Sequence, residues 1–484
     1  MRPVNDLQNK GPSLHDSWLR RRHIQDRLLH LIGSHGYQFL EIPILAPAEL
    51  FLRKSGGELA SQMFSFLDPG GRSVSLRPEF TAPIMLHYLG HAGEVTLPAR
   101  WHYAGPVFRY EGTDPASNGQ FTQIGAELIG STSVMADAEL IGLAADMLDD
   151  VGVQGFEVRL ADLQVLHDLL DTVGISDRAR TFIIGSIPEL RNGDDDTRSL
   201  LERAQYLHLT GDGPQDHDLS AAVGGLDDAS AREVLRGFLH WSGGAGGLGQ
   251  RDPEEVIDRL LHKIKGCDDR DGLERALFLV SGLTRIRGEA VSAIEQARGV
   301  LGPAGARLDA LDRLTELVEL LRCRPGPSDN LVLDFGLARG IAYYNGITFQ
   351  VTHPAAGGIL GRGGRYDALA RALGSTETVP ALGFAYNLDL LTQVAGEDIP
   401  GGTLRPGGWS SWKSAALVIW EAPADRPKAL ASARELRRGG LQVQMAVSAM
   451  ALADAQAYAA ENGISQVVVA GPDGPGPAHQ VGPS

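Results

Sequence analysis

The segment Arg100–Gly130, RWHYAGPVFRYEGTDPASNGQFTQIGAELIG, can fold in few ways. Residues 112–119 gather Gly, Thr, Asp, Pro, Ser and Asn, all residues that favour turns, so two strands joined by a polar loop follow. Side chains alternate with period 2 along a strand. Val107, Arg109 and Glu111 therefore share one face of the first strand. Phe121, Gln123, Gly125, Glu127 and Ile129 share one face of the second. An amide, a bare glycine and a carboxylate stand in a row, and the glycine leaves a gap in which something can lie against the backbone. Polar groups flanking such a gap point to a small ligand with a positive group. A solvent-facing strand side is the other reading of the same pattern.

The flanking chain supplies a frame for this hairpin. Residues 17–36 have helical spacing, with Leu19, Ile24, Leu28, Leu29 and Ile32 leading to Gly33 and Gly36. Tyr37–Pro47 reads as extended, with Pro43 suited to an edge or an interface. Phe64–Leu67 and Ser73–Leu76 form a predicted hairpin, and a helix is expected from about Pro83 to Leu89. Glu79 and Thr81 sit where strand passes into helix, a place from which a rigid frame presents binding groups. A helix over 132–152 and a strand at Phe156–Leu160 follow.

From about 165 to 325 helical periodicity dominates, broken by Gly- and Asp-rich loops. The loop Ser242–Gly249 lacks both a preceding strand and the Gly-Lys-Ser/Thr ending of a phosphate loop, so it reads as a connection. Strands are predicted at Leu331–Leu337 and Ile347–Thr352, with an arginine and two tyrosines on the turn Ala338–Gly346 between them. The glycine-rich run Gly357–Arg365 leads into a predicted helix at Tyr366–Leu373. Beyond a Gly/Pro linker, strand and helix alternate from Ala415 to Val469, which argues for a small α/β domain with parallel strands. The Gly/Pro-rich end is expected to be disordered.

Composition narrows the function. With 484 residues the chain has room for several domains and a large core. Lys plus Arg number 44 against 60 Asp plus Glu, a net charge of −16, which argues against a broad nucleic-acid surface. Two distant cysteines, Cys267 and Cys323, support neither a disulfide framework nor a cysteine metal site. No apolar leader and no run long enough to span a bilayer is seen, so a cytoplasmic protein without membrane contact is expected.

Five segments then occur in a telling order: Leu76-Arg-Pro-Glu-Phe-Thr-Ala82, Gly105-Pro-Val-Phe-Arg-Tyr-Glu111, Gln120-Phe-Thr-Gln-Ile-Gly-Ala-Glu127, Ala338-Arg-Gly-Ile-Ala-Tyr-Tyr344 and Gly363-Gly-Arg-Tyr-Asp367. Over roughly residues 15–395 the chain resembles the histidyl-tRNA synthetases and their non-synthetase relatives. The resemblance implies an α+β fold: the class II aminoacyl-tRNA synthetase core, an antiparallel sheet flanked by helices. It would be divided between residues 1–165 and 326–398 by a mostly helical insertion at 166–325. A linker at 399–413, a small α/β domain at 414–470 resembling a truncated anticodon-binding domain, and a disordered tail at 471–484 complete the expected layout. The resemblance also implies a homodimer whose contact includes the Pro43 segment.

It further implies roles for residues. Glu79, Thr81 and Gln123 would hold a histidine α-amino group; Glu127, Tyr344 and Tyr366 would surround its imidazole; Arg339 would meet its carboxylate. The residue types suit those partners. Arg109 and Glu111 match residues that meet the α-phosphate and adenine of ATP. The rest of the nucleotide half departs from the synthetases. Residues 112–119 contain no basic residue, and Gly-Phe-Ala-x-Gly-x-Glu-Arg of the synthetases is here Gly383-Phe-Ala-Tyr-Asn-Leu-Asp-Leu390. Adenylation relies on fixed positive charge at the phosphates.

A kept amino-acid pocket beside a stripped nucleotide pocket resembles the regulatory subunit of ATP phosphoribosyltransferase. That paralogue joins a short catalytic subunit at the first step of histidine biosynthesis and binds free histidine for feedback inhibition. No catalytic residue, cofactor or metal is expected on this reading, and tRNA is not an expected partner. A histidyl-tRNA synthetase, or a synthetase-like ligase that activates an amino acid for another acceptor, is the alternative.

Overall fold

The computed structural model describes residues 14–110, 119–191, 196–207, 209–210, 226, 228–241, 257, 268–323, 330–337, 344–396, 415–471 and 474–481. The alternating stretches flanking the polar loop become β5 (Ala99–Phe108) and β6 (Gln120–Ile129), antiparallel along their whole length. They lie in a nine-stranded sheet with β1 (Gln38–Phe39), β7 (Glu157–Asp162), β8 (Arg287–Glu289), β9 (Leu331–Asp334), β10 (Ile347–His353), β11 (Gly358–Arg365) and β12 (Ala381–Asn387). The order is β1-β5-β6-β12-β11-β10-β7-β9-β8. Pairing is antiparallel through the middle and parallel for β1 with β5 and β7 with β9, so the sheet is mixed rather than wholly antiparallel. A small sheet of β2 (Leu45–Pro47), β3 (Ser65–Leu67) and β4 (Ser73–Leu76) sits beside it.

Helices α1 (Leu14–Ser34), α2 (Ala48–Gln62), α3 (Thr81–His91) and α4 (Val134–Asp150) belong to the first part of the core. Ile24, Leu28 and Ile32 of α1 and Leu140, Leu143 and Met147 of α4 join Ile124, Ala126 and Leu128 of β6 in one apolar core. That leaves the opposite face of β6, with Gln123, Gly125 and Glu127, for chemistry. The insertion is helical as expected, with α5 (Leu163–Asp171), α6 (Asp177–Gly185), α7 (Ile187–Leu190), α8 (Asp196–Tyr206), α9 (Asp228–Trp241), α10 (Arg270–Thr284), α11 (Ala290–Ala304) and α12 (Asp309–Arg322). Two short helices, α13 (Leu369–Ala372) and α14 (Leu388–Val394), follow β11 and β12.

The C-terminal unit has β13 (Ala415–Ile419), α15 (Arg426–Arg438), β14 (Gln442–Met445), α16 (Leu452–Glu461), β15 (Gln466–Gly471) and β16 (Gly474–Gln480). Its strand order is β14-β13-β15-β16, with the first three parallel. The end of the chain departs from expectation here: Gly474–Gln480 is not disordered but pairs antiparallel with β15. An edge strand tolerates proline because one row of its N–H groups has no strand to meet. The unit is fastened to the core, since Arg100 Nη2 donates to the Met445 carbonyl at 2.7 Å and Gln442 Nε2 to the Gly33 carbonyl at 3.0 Å.

The glycine-rich run Gly357–Arg365, for which no strand is predicted, supplies β11, and Gly361, Gly363 and Gly364 lie in it between β10 and β12. A Cβ at Gly361 would come within 2.4 Å of the Tyr386 ring, and one at Gly363 within 2.4 Å of the Phe349 ring. Aromatic rings from the flanking strands thus occupy the space where side chains would stand.

Candidate functional site

The register fixes the site. Glu127 pairs with Trp101 on β5 and Gly383 on β12; Gly125 pairs with Tyr103, and Gln123 with Gly105 and Asn387. The Glu127 carboxylate is buried and receives three hydroxyls. Thr81 Oγ1 donates to Oε1 at 2.9 Å, Tyr103 to Oε1 at 3.3 Å and Tyr366 to Oε2 at 2.5 Å. Gly383 makes room for it, because a Cβ there would lie 1.4 Å from Glu127 Oε2. Hydrogen bonds to an ionised acceptor are among the stronger ones and fix its direction.

Thr81 reaches Glu127 because α3 starts at that residue. Glu79, itself buried, accepts from the Thr81 amide at 2.7 Å and the Ala82 amide at 3.1 Å, which satisfies two donors at the start of the helix. Beneath this turn Arg77 donates to the Pro106 carbonyl at 2.9 Å and to the Ile42 carbonyl, and its guanidinium lies 4.1 Å from the Phe80 ring centre. Burial pulls its proton affinity down to about 10. Gly105 leaves the space that this guanidinium fills, since a Cβ there would meet Nη2 at 2.5 Å.

The expected gap at Gly125 is already occupied. A Cβ at Gly125 would stand 2.1 Å from the Phe384 carbonyl oxygen and 2.7 Å from the Tyr103 hydroxyl, so Tyr103 rather than a ligand lies against the backbone there. Its ring stacks on Phe80 at 4.2 Å and an interplanar angle of 13°. Sequence reasoning missed Tyr103. The signal is the register itself: Tyr103 stands opposite Gly125, and an aromatic opposite a glycine fills the space that the glycine leaves. Two residues away, Gln123 Oε1 is buried and accepts no hydrogen bond from the described residues. A buried acceptor without a donor is costly, and a ligand N–H is one way to supply it. Tyr344 is half-buried against the same cluster as Tyr366, with its ring over Gly364.

Of the residues expected at an amino-acid site, Thr81, Glu127 and Tyr366 meet directly, and Glu79, Gln123 and Tyr344 surround them. Arg339 and Glu111 lie outside the described residues. Arg109 donates from Nε to the Pro78 carbonyl at 2.8 Å, and its guanidinium lies 5.4 Å from the Phe121 ring centre. Among the described residues no cluster of three or more His, Cys, Asp or Glu could hold a metal ion, and no helix is long and apolar enough to cross a membrane.

At the far end of the face the segment Gly383–Leu390 meets its own polar needs. Asn387 Oδ1 accepts from the Asp389 and Leu390 amides at 3.0 and 3.1 Å, capping α14. Asp389 accepts from the Thr122 amide at 2.7 Å and pairs with Arg21 at 3.0 Å. Leu390 packs against the main core.

A family model described as histidyl-tRNA synthetase matches residues 13–187 and 262–391, more than half of the chain. The chain belongs to the histidyl-tRNA synthetase family. Curated relatives within it include the histidine–tRNA ligase of Methanocaldococcus jannaschii, 25% identical over 456 residues, covering 93% of this chain and 88% of that protein. The histidine–tRNA ligase of Pyrococcus horikoshii is 28% identical over 383 residues, covering 79% and 73%. A solved structure from Bacillus halodurans, an ATP phosphoribosyltransferase regulatory subunit/histidyl-tRNA synthetase, superposes with a TM-score of 0.52 at 22% identity. The alignment covers 93% of this chain and 94% of that one, and it shows a shared class II synthetase-like fold. Against the motif of the synthetases, the position of the glycine holds the capping Asn387 and the position of the arginine holds the packed Leu390.

Proposed function

We propose that this chain is a histidine-binding regulatory subunit that works with a short ATP phosphoribosyltransferase catalytic subunit. The observation that carries the reading is the segment Gly383–Leu390. Asn387 and Asp389 are spent on capping and on the Thr122 amide, Leu390 is packed, and no cation stands at the arginine position. Phosphoryl chemistry without such a cation loses its main source of charge stabilisation. The amino-acid half, in contrast, keeps an oriented carboxylate and a buried amide oxygen in need of a donor.

Two further observations favour a partner protein over tRNA. The cations of α15 are largely committed: Lys428 pairs with Asp425 at 3.1 Å, Arg434 with Asp146 at 3.3 Å and Arg426 with Glu316. Phe39 of β1, Ile44 after it and Leu45 at the start of β2 are exposed on either side of Pro43, which suits a homodimer contact at that segment. An amino-acid-activating ligase is the second reading, favoured by Arg109, which keeps its place at Pro78 and Phe121, and by the curated ligase relatives.

The test has two arms. Purified protein should give no histidine-dependent exchange between pyrophosphate and ATP, and reconstituted complex should transfer phosphoribosyl groups in a manner inhibited by histidine. Exchange well above background sinks the regulatory reading and leaves the ligase.

A further inference from the structure

A small cleft of about 40 Å³ opens where three parts of the molecule meet. Gly142, Leu143 and Asp146 of α4 form one wall, Leu320 and Leu321 at the end of the insertion a second, and Leu430, Arg434 and Arg437 of α15 a third. It lies apart from Glu127, on the side of the sheet covered by α4, and none of the five family segments contributes to it.

The charges along the cleft do not cancel. Glu139 is held by Arg100 through two bonds of 2.8 and 3.0 Å, both partners being buried. Asp146 is held by Arg434 at 3.3 Å. Arg437 donates from Nε at 3.3 Å and Nη2 at 2.7 Å to one carbonyl, that of Val443, and pairs with no carboxylate among the described residues. One positive charge is left over. Burial is the largest influence on this guanidinium and draws its proton affinity down to about 10, with Glu139 and Asp146 opposing from a distance. A buried charge without a close counter-ion is costly, and a fork of N–H donors matches a two-oxygen anion.

We propose that this cleft is a binding site for a small monocarboxylate, whose head group pairs with Arg437 and whose short apolar body lies against Leu143, Leu320, Leu321 and Leu430. A carboxylate suits the site better than a bare halide because the Nη1–Nη2 end of the guanidinium, the edge not given to Val443, has parallel donors, and the walls are apolar. Occupancy ties α4, the insertion and the C-terminal unit together, since each supplies one wall.

Cys323 also lines the cleft and is exposed, so its alkylation reports on occupancy. Iodoacetamide modification of Cys323 would be followed by peptide mass spectrometry on the full chain carrying Cys267→Ser. Sodium butyrate is the probe, with sodium chloride at equal ionic strength and sodium phosphate as comparators. Butyrate at ten times its dissociation constant leaves about a tenth of the sites open and should slow alkylation about tenfold. Arg437→Gln should raise the half-protecting concentration about tenfold or more. If that variant does not fold, Arg437→Lys, which keeps charge but loses the fork, should still weaken protection. No protection of the parent protein by butyrate overturns the site. So does equal protection by chloride, or protection unchanged in the folded arginine variant. Protection by phosphate alone overturns the carboxylate assignment.

Discussion

The two ends of β6 treat their polar groups differently. Around Glu127 the polar atoms converge on one carboxylate from three separate elements, α3, β5 and the residue following β11, and further along the same face the buried Gln123 oxygen has no donor among the described residues. Around Thr122 the polar atoms satisfy the backbone: Asn387 caps α14 and Asp389 takes the Thr122 amide and Arg21. In the first arrangement burying the Glu127 carboxylate costs solvation that three hydroxyls partly restore, and the Gln123 oxygen, without a donor among the described residues, adds a cost that a bound N–H group would offset. The second stabilises the fold whether or not anything binds. On the proposed reading, one half of the site is kept for binding and the other half is converted into architecture.

The largest expected effect comes from breaking the first arrangement at its centre. Glu127→Ala should weaken histidine binding by about 2–5 kcal/mol, the usual cost of removing one side of a buried charged contact. Titration calorimetry checks it. Equal affinity in the mutant would mean that the convergence on Glu127 is structural only.

Gly383→Ala attacks the same carboxylate from behind. With a Cβ built 1.4 Å from Glu127 Oε2, the fold must shift, at a cost of about 1–3 kcal/mol in urea unfolding. The clash is with one side chain, so Glu127→Ala in the same molecule should recover much of that loss. A double mutant whose destabilisation is the sum of the two singles would show that Gly383 answers to something else.

Leu390→Arg restores the charge found in the synthetase motif. It should give no pyrophosphate exchange, because residues 112–119 still lack cations, and it should lower stability by about 1–2 kcal/mol as a packed leucine is lost. Exchange appearing in this variant would mean that the nucleotide half is one residue from function rather than rebuilt.

The strand pair at the centre of the site was legible because its cues are local: alternation over ten residues on each side of a turn-rich loop is enough to place Gln123, Gly125 and Glu127 on one face. The occupant of the Gly125 gap was not legible, since Tyr103 becomes its filler only once β5 and β6 are in register. β11 was not legible as a strand for a related reason. Glycine weakens a strand by local rules, and the rings of Phe349 and Tyr386 that require glycine there come from β10 and β12. The capping role of Asn387 was hidden in the opposite way, because comparison with the synthetase motif drew attention to what was missing rather than to what the new residue does. Asparagine before a short helix is an ordinary start signal.

That role gives the smallest and most discriminating prediction. If Asn387 serves only as the cap of α14, Asn387→Ala removes the acceptor for the Asp389 and Leu390 amides and should cost about 1 kcal/mol. Asn387→Gly, the residue of the synthetase motif, should cost only a few tenths of a kcal/mol, roughly, because glycine lets water reach the same amides. Neither should change histidine affinity, even though Asn387 stands directly across the sheet from Gln123. Urea unfolding and calorimetry on the same two proteins separate the outcomes. A loss of affinity in Asn387→Ala without loss of stability would place Asn387 in the amino-acid pocket. The boundary between site and architecture would then move one residue pair along β6, past Gln123.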